Sequence, residues 1–243
     1  MKVVFVGPTL AGPRLRRGRG GVDVRGPAAQ GDVAEAVLQG AAVIGLVDGF
    51  FEQSAAVWHK EILYALAEGV QVFGAASMGA LRAAECAAFG MVGVGEVFDG
   101  YASGKIVDDD AVAQLHGPEE LDYMPLSEPL VNIEATIEVL RGKRLVTERE
   151  SADIQSVAKA LFFKERAYER VLAGAKSLGH ERRIEIAGLI ARFRRDVKRE
   201  DAEALMERVS AAADSRVAPP TGWEFAETPI WRRLLDDLRK AAA

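Results

Sequence analysis

Three short apolar runs constrain the fold of this chain more than any other feature. They are Val3-Val4-Phe5-Val6, Ala42-Val43-Ile44-Gly45-Leu46-Val47 and Val70-Gln71-Val72-Phe73. Each is too short for a helix and rich in β-branched residues, so each reads as a buried strand. Each is also closed by turn-forming residues: Gly7-Pro8, Asp48-Gly49 and Gly74-Ala75-Ala76. Helical patterns fill most of the intervals. They are expected at 32–39 with Asp32 as cap and Gly40 as stop, at 53–68 with Gly69 as stop, and from Met78 to about Phe89. Residues 11–27, rich in Gly, Arg and Pro, read as a loop in which Val22 and Val24 are candidates for a short strand. Strands alternating with helices of this length imply βαβ units and a parallel sheet. Right-handed crossovers then bring the carboxyl ends of the strands to one edge, where open α/β sheets bind ligands. The expected pocket is bordered by Gly7, Thr9, Asp48 and Ser77.

Residues 90–127 are glycine-rich and then polar, which predicts loops, short helices and one hairpin. From about 128 onward nearly everything reads as helix, with Pro219-Pro220 before a last helix near 228–240. The expected fold class is α/β, a three-layer Rossmann-like and mostly parallel sheet with an appended all-helical C-terminal region. The expected boundaries are 1–145 for the α/β core and 146–243 for the helical region. Charge divides at the same place. Residues 1–145 carry 12 basic and 19 acidic side chains, residues 146–243 carry 19 and 17, and the whole chain carries −5. That sign argues against general nucleic-acid binding. No run approaches the roughly 20 apolar residues that cross a bilayer. The apolar start at 3–6 is too short for a signal peptide. The single cysteine, Cys86, excludes an internal disulfide and has no partner at metal-ligand spacing. These features lead to the expectation of a cytoplasmic protein without a metal, membrane or nucleic-acid partner.

The most informative stretch is VQVFGAASMGALRAAE at 70–85. A strand runs into small residues, then Ser77, then a helix opened by Met78 and Gly79. This follows the logic of a nucleophile elbow, although the first glycine stands three residues before the serine. Free N–H groups at the helix start, from Met78 and Gly79, are candidates for holding an oxyanion. The plainer reading is an N-cap, in which the serine hydroxyl bonds an N–H two or three residues on.

A nucleophilic serine needs a base. His59, His116 and His180 are the only histidines, and no spacing favours a triad built on His116 with Asp108, Asp109 or Asp110. A Ser-Lys pair is the other route. Lys60, in VWHKEIL, falls about two turns into the expected helix 53–68, and helical side chains tilt back toward the N-terminus. To act as a base it must lose its proton near pH 7, which burial can promote. An exposed lysine on an amphipathic helix is the ordinary alternative. His59 is a pocket candidate or a helix-surface residue. Arg82 and Glu85 either border an anion site or form an i,i+3 pair. Asp108-Asp109-Asp110 reads as the acidic start of a helix near 111–115 rather than a Mg²⁺ site. No phosphate loop G-x-x-x-x-G-K-[ST] and no dinucleotide fingerprint occurs, so no cofactor is expected.

Six stretches together resemble the TfuA-like family. They are FVGPTL at 5–10, DGFFEQSAAVWHKEILYAL at 48–66, VFGAASMGALRAAE at 72–85, FGMVGVG at 89–95, VDDDAVAQLHGP at 107–118 and PLSEPLVN at 125–132. The resemblance implies a partner of a YcaO enzyme, which activates a backbone amide for replacement of oxygen by sulfur. It implies release of sulfide from a thiocarboxylated ThiS-like sulfur-carrier protein, and indirect support of the peptide substrate. It also implies a hydrolase-like Ser-Lys pair, which by motif position is Ser77 and Lys60. Gly7, Thr9, Asp48, His59, Met78, Gly79 and Arg82 are then the surrounding oxyanion or pocket residues. A competing reading keeps the same partners but makes the protein an adaptor that docks carrier, YcaO and peptide without chemistry.

Overall fold

The computed structural model describes residues 1–10, 21–50 and 54–241. Strands β1 (Lys2–Phe5), β2 (Val22–Arg25), β3 (Val43–Leu46), β4 (Gln71–Ala75) and β5 (Val92–Val94) form one sheet. Its order is β2-β1-β3-β4-β5 and every pairing is parallel. The three expected strands are present, and the Val22–Val24 candidate is an edge strand. β5 occupies part of the segment expected to hold a hairpin. The chain returns through helix α3 (Met78–Cys86) and adds β5 to β4 in parallel; the antiparallel pairing seen there among described residues is one isolated bridge, His116 to Pro125. The strand order reverses direction between β1 and β3, which places a topological switch point beside Gly7 and Asp48.

Helix α1 (Asp32–Leu38) starts beside Gly31; Asp32 lies in its first turn and accepts a hydrogen bond from the Ala29 N–H at 2.7 Å. Helix α2 (His59–Ala67) corrects the expected span of 53–68. Residue 53 lies outside the described residues, and 54–58 are not helical. The late start has a visible cause in Glu61, which is fully buried. Its Oε1 accepts from the Trp58 N–H at 3.0 Å, and its Oε2 accepts from the Gly31 N–H at 2.9 Å. One carboxylate therefore ties the first turn of α2 to the start of α1, satisfying donors that a helix terminus leaves free.

Alternation along the strands sends side chains to two faces. Val3, Phe5, Ile44, Leu46 and Val72 pack with α1, α2 and α3 on one side. Val4, Val43, Phe73 and Ala75 pack on the other against Ala202, Leu205 and Val209 of helix α9 (Val197–Ala211). Helix α4 (Glu96–Ala102) follows β5. The C-terminal region is all-helical, as expected. Helices α5 (Leu130–Gly142), α6 (Glu148–Ala160), α7 (Tyr168–Gly174) and α8 (His180–Phe193) share their own core, which includes Ile133, Ile137, Ile154 and Ile186. The remaining two helices return to the sheet half. α9 is the third layer of the sandwich, and α10 (Pro229–Ala241) sets Trp231 and Leu235 against Ala34 of α1. Burying side chains of this size contributes about 1.5–3 kcal/mol each, so α9 is integral to the sheet.

Candidate functional site

The turn between β4 and α3 is as sharp as the small residues require. Ala76 adopts a left-handed backbone (φ 66°), which an alanine holds only where its surroundings impose it. The Ser77 N–H closes back onto the Ala75 carbonyl at 2.7 Å. Close packing explains two glycines. A Cβ on Gly79 would collide with the Leu46 carbonyl, and one on Gly74 would collide with the Gly79 carbonyl. The start of α3 therefore presses directly on the ends of β3 and β4.

Ser77 occupies the N-cap position, 8% exposed, and its side chain makes no capping hydrogen bond. The simple cap reading thus does not account for the hydroxyl. The two expected oxyanion donors separate. The Gly79 N–H donates to the Val47 carbonyl at 3.1 Å and is not available, whereas no described residue accepts from the Met78 N–H.

Ser77 and Met78 border a cavity of about 520 Å³ at the carboxyl edge of the sheet, together with Pro8, Asp48, Arg82 and His116. Asp48 is buried. Its Oδ2 accepts from the Gly7 N–H at 2.8 Å and the Thr9 N–H at 3.1 Å, and its Oδ1 accepts from the Thr9 hydroxyl at 2.6 Å. Gly7 and Thr9 therefore act through Asp48, which they hold at the wall. The β1 loop, the β3 end and the β4–α3 turn do converge, as their order in the sheet requires.

Lys60 and His59 sit elsewhere than the sequence suggested. Because α2 begins at His59, Lys60 lies in the first turn and not two turns in. Its ammonium donates to the Ala226 carbonyl and stands 4.9 Å from the centre of the Phe225 ring. Lys60 is not among the residues lining the cavity. His59 Nε2 is 2.8 Å from Glu85 Oε2, the same oxygen that accepts from Arg82 Nη1 at 2.6 Å. Arg82 also donates from Nε to the Val57 carbonyl at 3.1 Å. Arg82 and Glu85 are thus the i,i+3 pair that was weighed, and they form one wall of the cavity.

The acidic run is shared between two roles. Asp108 and Asp109 lie on the cavity wall. A short 3-10 turn, Asp109–Ala111, replaces the expected helix near 111–115. Asp110 accepts from the buried Arg166 at 2.8 Å. His116 Nδ1 is 2.7 Å from the Gly117 carbonyl, and its ring meets Tyr123 at 5.6 Å between centres. His180 opens α8 in the helical bundle. Cys86 is buried, and burial pushes its thiol up to about 11, which keeps it protonated and unreactive. Among the described residues no cluster of His, Cys, Asp and Glu is arranged to hold a metal.

Sequence reasoning missed one wall residue of a different kind. Lys198, in the first turn of α9, is 2% exposed and lines the same cavity as Ser77. Its Nζ donates to the Val112 carbonyl at 2.8 Å. Burial pushes its pKa down, opposed by the charges of Asp48, Asp196 and Glu128. Nothing in VKREDAEAL distinguishes this lysine from a solvated one; only the packing of α9 on the sheet reveals it.

No curated protein matches the chain. A family match covers residues 48–167, from Asp48 through the serine turn and the acidic run to the residue after Arg166. With its serine turn, its Asp48 end and its 107–118 wall all inside the matched segment, the chain belongs to the TfuA-like protein family.

Proposed function

We propose that this protein releases sulfide from a thiocarboxylated carrier by nucleophilic attack of Ser77, in support of a YcaO enzyme that thioamidates a peptide. Membership of the TfuA-like family supports the association with YcaO-dependent thioamidation. The observation that carries the chemical part is the hydroxyl of Ser77: it stands at a helix start, on a cavity wall, and is not engaged in capping. A cavity of this size takes the extended end of a polypeptide and not a folded domain. A thiocarboxylated chain terminus meets that requirement.

The reaction balances without a cofactor. The serine oxygen bonds to the carbonyl carbon of R–C(=O)–S⁻, the serine proton passes to a base, and the Met78 N–H stabilises the oxyanion. The C–S bond breaks, the base returns its proton to sulfur, and HS⁻ leaves. Water then hydrolyses the acyl-serine to R–COO⁻, a proton and free serine. Sulfide release from a ThiS-like carrier thiocarboxylate, followed over time, tests the proposal. Ser77→Ala should lower release by about 10³-fold or more, as expected for loss of a nucleophile. Normal release by folded Ser77→Ala protein would remove the chemical part.

One observation favours the adaptor reading beside it. Leu121, Met124 and Leu126 are 57%, 50% and 53% exposed, on a segment that joins the cavity wall through the His116–Pro125 bridge. Such residues suit a docked partner. Unchanged thioamidation by Ser77→Ala, with complex formation lost on Leu121→Ser and Met124→Ser, would make the protein an adaptor.

A further inference from the structure

The substrate proposed above is an anion before any bond changes. In R–C(=O)–S⁻ the charge is shared between sulfur and oxygen, which makes the carbonyl carbon a poor electrophile. Attack by a serine adds further negative charge to the same group of atoms. A site for such a substrate gains from a fixed cation at the sulfur, which draws the charge there and leaves the C=O bond open to attack. A neutral thioester has no such need.

The wall that carries Ser77 continues along one face of α3. Met78, Leu81, Arg82 and Glu85 all line the cavity, at the i, i+3, i+4 and i+7 spacing of a single helix face. Arg82 follows Met78 by one turn, about 6 Å along the axis. Helical side chains lean toward the N-terminus, which here means toward Ser77 and the Met78 N–H. The guanidinium is anchored on two of its three nitrogens. Nε donates to the Val57 carbonyl at 3.1 Å, and Nη1 donates to Glu85 Oε2 at 2.6 Å. His59, from α2, approaches that same Glu85 oxygen at 2.8 Å, so the carboxylate is held from both helices. Among the described residues nothing accepts from Nη2 of Arg82. The side chain is 15% exposed, so this is an oriented donor on a mostly covered cation and not a solvated surface group. Two bonds already tie α3 to the chain before α2; the third nitrogen is left for a ligand.

We infer that Arg82 is the residue that selects a thiocarboxylate: its Nη2 N–H groups bind the substrate sulfur, draw charge onto it while Ser77 attacks, and hold HS⁻ as it departs. This rests on the proposed Ser77 chemistry and names the substrate class of the same site, an acyl group whose leaving sulfur is anionic. The C–S bond breaks with both electrons on sulfur, and Arg82 exchanges neither proton nor electron, because a guanidinium stays charged throughout. Glu85 is a positioning residue that fixes the fork of donors.

The test compares two substrates of one carrier, a ThiS-like thiocarboxylate and the ethyl thioester of the same protein, with melting curves for every variant. Each rate is divided by the rate of hydrolysis in buffer alone. The wild-type enhancement should be larger for the thiocarboxylate, and this comparison is readable even where a variant folds poorly. Arg82→Met should lose about 10–10²-fold in kcat/KM on the thiocarboxylate, the range for a hydrogen bond to a charged group. Its loss on the thioester should stay below about 3-fold, because the sulfur there carries no charge to bind. Arg82→Lys keeps the charge without the fork and should fall between the two. A merely structural arginine would change both substrates alike. Equal losses on the two substrates, an unaltered thiocarboxylate rate in folded Arg82→Met, or a larger wild-type enhancement for the thioester overturns the assignment. Normal release by Ser77→Ala overturns the Ser77 reading itself, whereas Ser77→Ala inactive on both substrates beside equal losses in Arg82→Met removes only the role of Arg82.

Discussion

Arg166 and Lys198 are both fully buried cations, but one stands in a finished network and the other does not. Arg166 donates to the Ala158 carbonyl at 3.1 Å, the Asp110 carbonyl at 2.8 Å and the Asp110 carboxylate at 2.8 Å. It clamps α6 to the acidic run on the cavity wall, and each of its three nitrogens donates in doing so. A second arginine network stands in the bundle behind it. There Arg182 binds Glu150 at 2.8 Å and the Leu145 carbonyl at 2.7 Å, and this pairing holds Glu150 down at about 2. Lys198 has a single carbonyl acceptor. A guanidinium stays charged and is placed where a fixed fork of donors is useful; an amine can lose its charge and is placed where that matters. Arg166 fixes the wall of the cavity, and Lys198 stands beside the same cavity with one acceptor.

This difference can be broken by substitution. Arg166→Met should be the most damaging change, at about 3–5 kcal/mol, because it leaves buried acceptors without a partner; urea unfolding measures it. Gly79→Ala should follow at about 3 kcal/mol, since the added Cβ collides with the Leu46 carbonyl and overpacks the turn. The same unfolding experiment reports it, and a shift in the near-ultraviolet spectrum should accompany displacement of α3.

Asp201 supplies a pH-dependent case. Its carboxylate accepts from the Glu96 and Val97 N–H groups at 2.9 and 2.8 Å, joining α9 to the start of α4. Burial nevertheless raises its pKa to about 6. A carboxyl whose folded pKa lies above the unfolded value of 3.8 binds its proton more tightly in the native state. Its contribution is fully present below about pH 4 and is lost as pH rises through 6. Asp201→Asn should remove that decline, which amounts to on the order of 1 kcal/mol after screening by solvent. Unfolding free energies of the two proteins across pH 4–7 give the comparison. The smallest expected effect is Lys198→Met on stability, below about 1 kcal/mol, because a methionine of similar length suits a buried site with one acceptor. A loss of 3 kcal/mol or more there would place Lys198 in the same class as Arg166.

Much of this was legible in local sequence. Apolar runs of four to six residues mark β1, β3 and β4, and the rule of parallel crossovers brings Asp48 and Ser77 to one edge. The start of α2 was misjudged because Glu61 reads as a surface residue in HKEIL, whereas it is buried and bonded to two helix starts. A helix begun at 53 instead of 59 misplaces Lys60 by about two turns. The cap reading of Ser77 could not be decided by composition, since hydroxyl geometry depends on the backbone angles of the turn. Lys198 was invisible for a deeper reason. Much of its environment is made by Asp48 after β3, Val112 in the 107–118 wall and Glu128 before α5, all far from it in sequence.

The covering of the sheet by α9 has a consequence for how the chain comes into being. A ribosome delivers β1, β2, β3 and β4 long before it delivers residues 197–211, so the Val4, Val43 and Phe73 face waits uncovered while the intervening bundle is made. The segment 48–167 that identifies the family contains neither β1 and β3 nor this helix. Expressed by itself, it would be a fragment with exposed strand edges, prone to aggregate and not able to fold into a small version of the protein. Biogenesis of the reactive pocket is therefore a late event, completed only when the third layer docks.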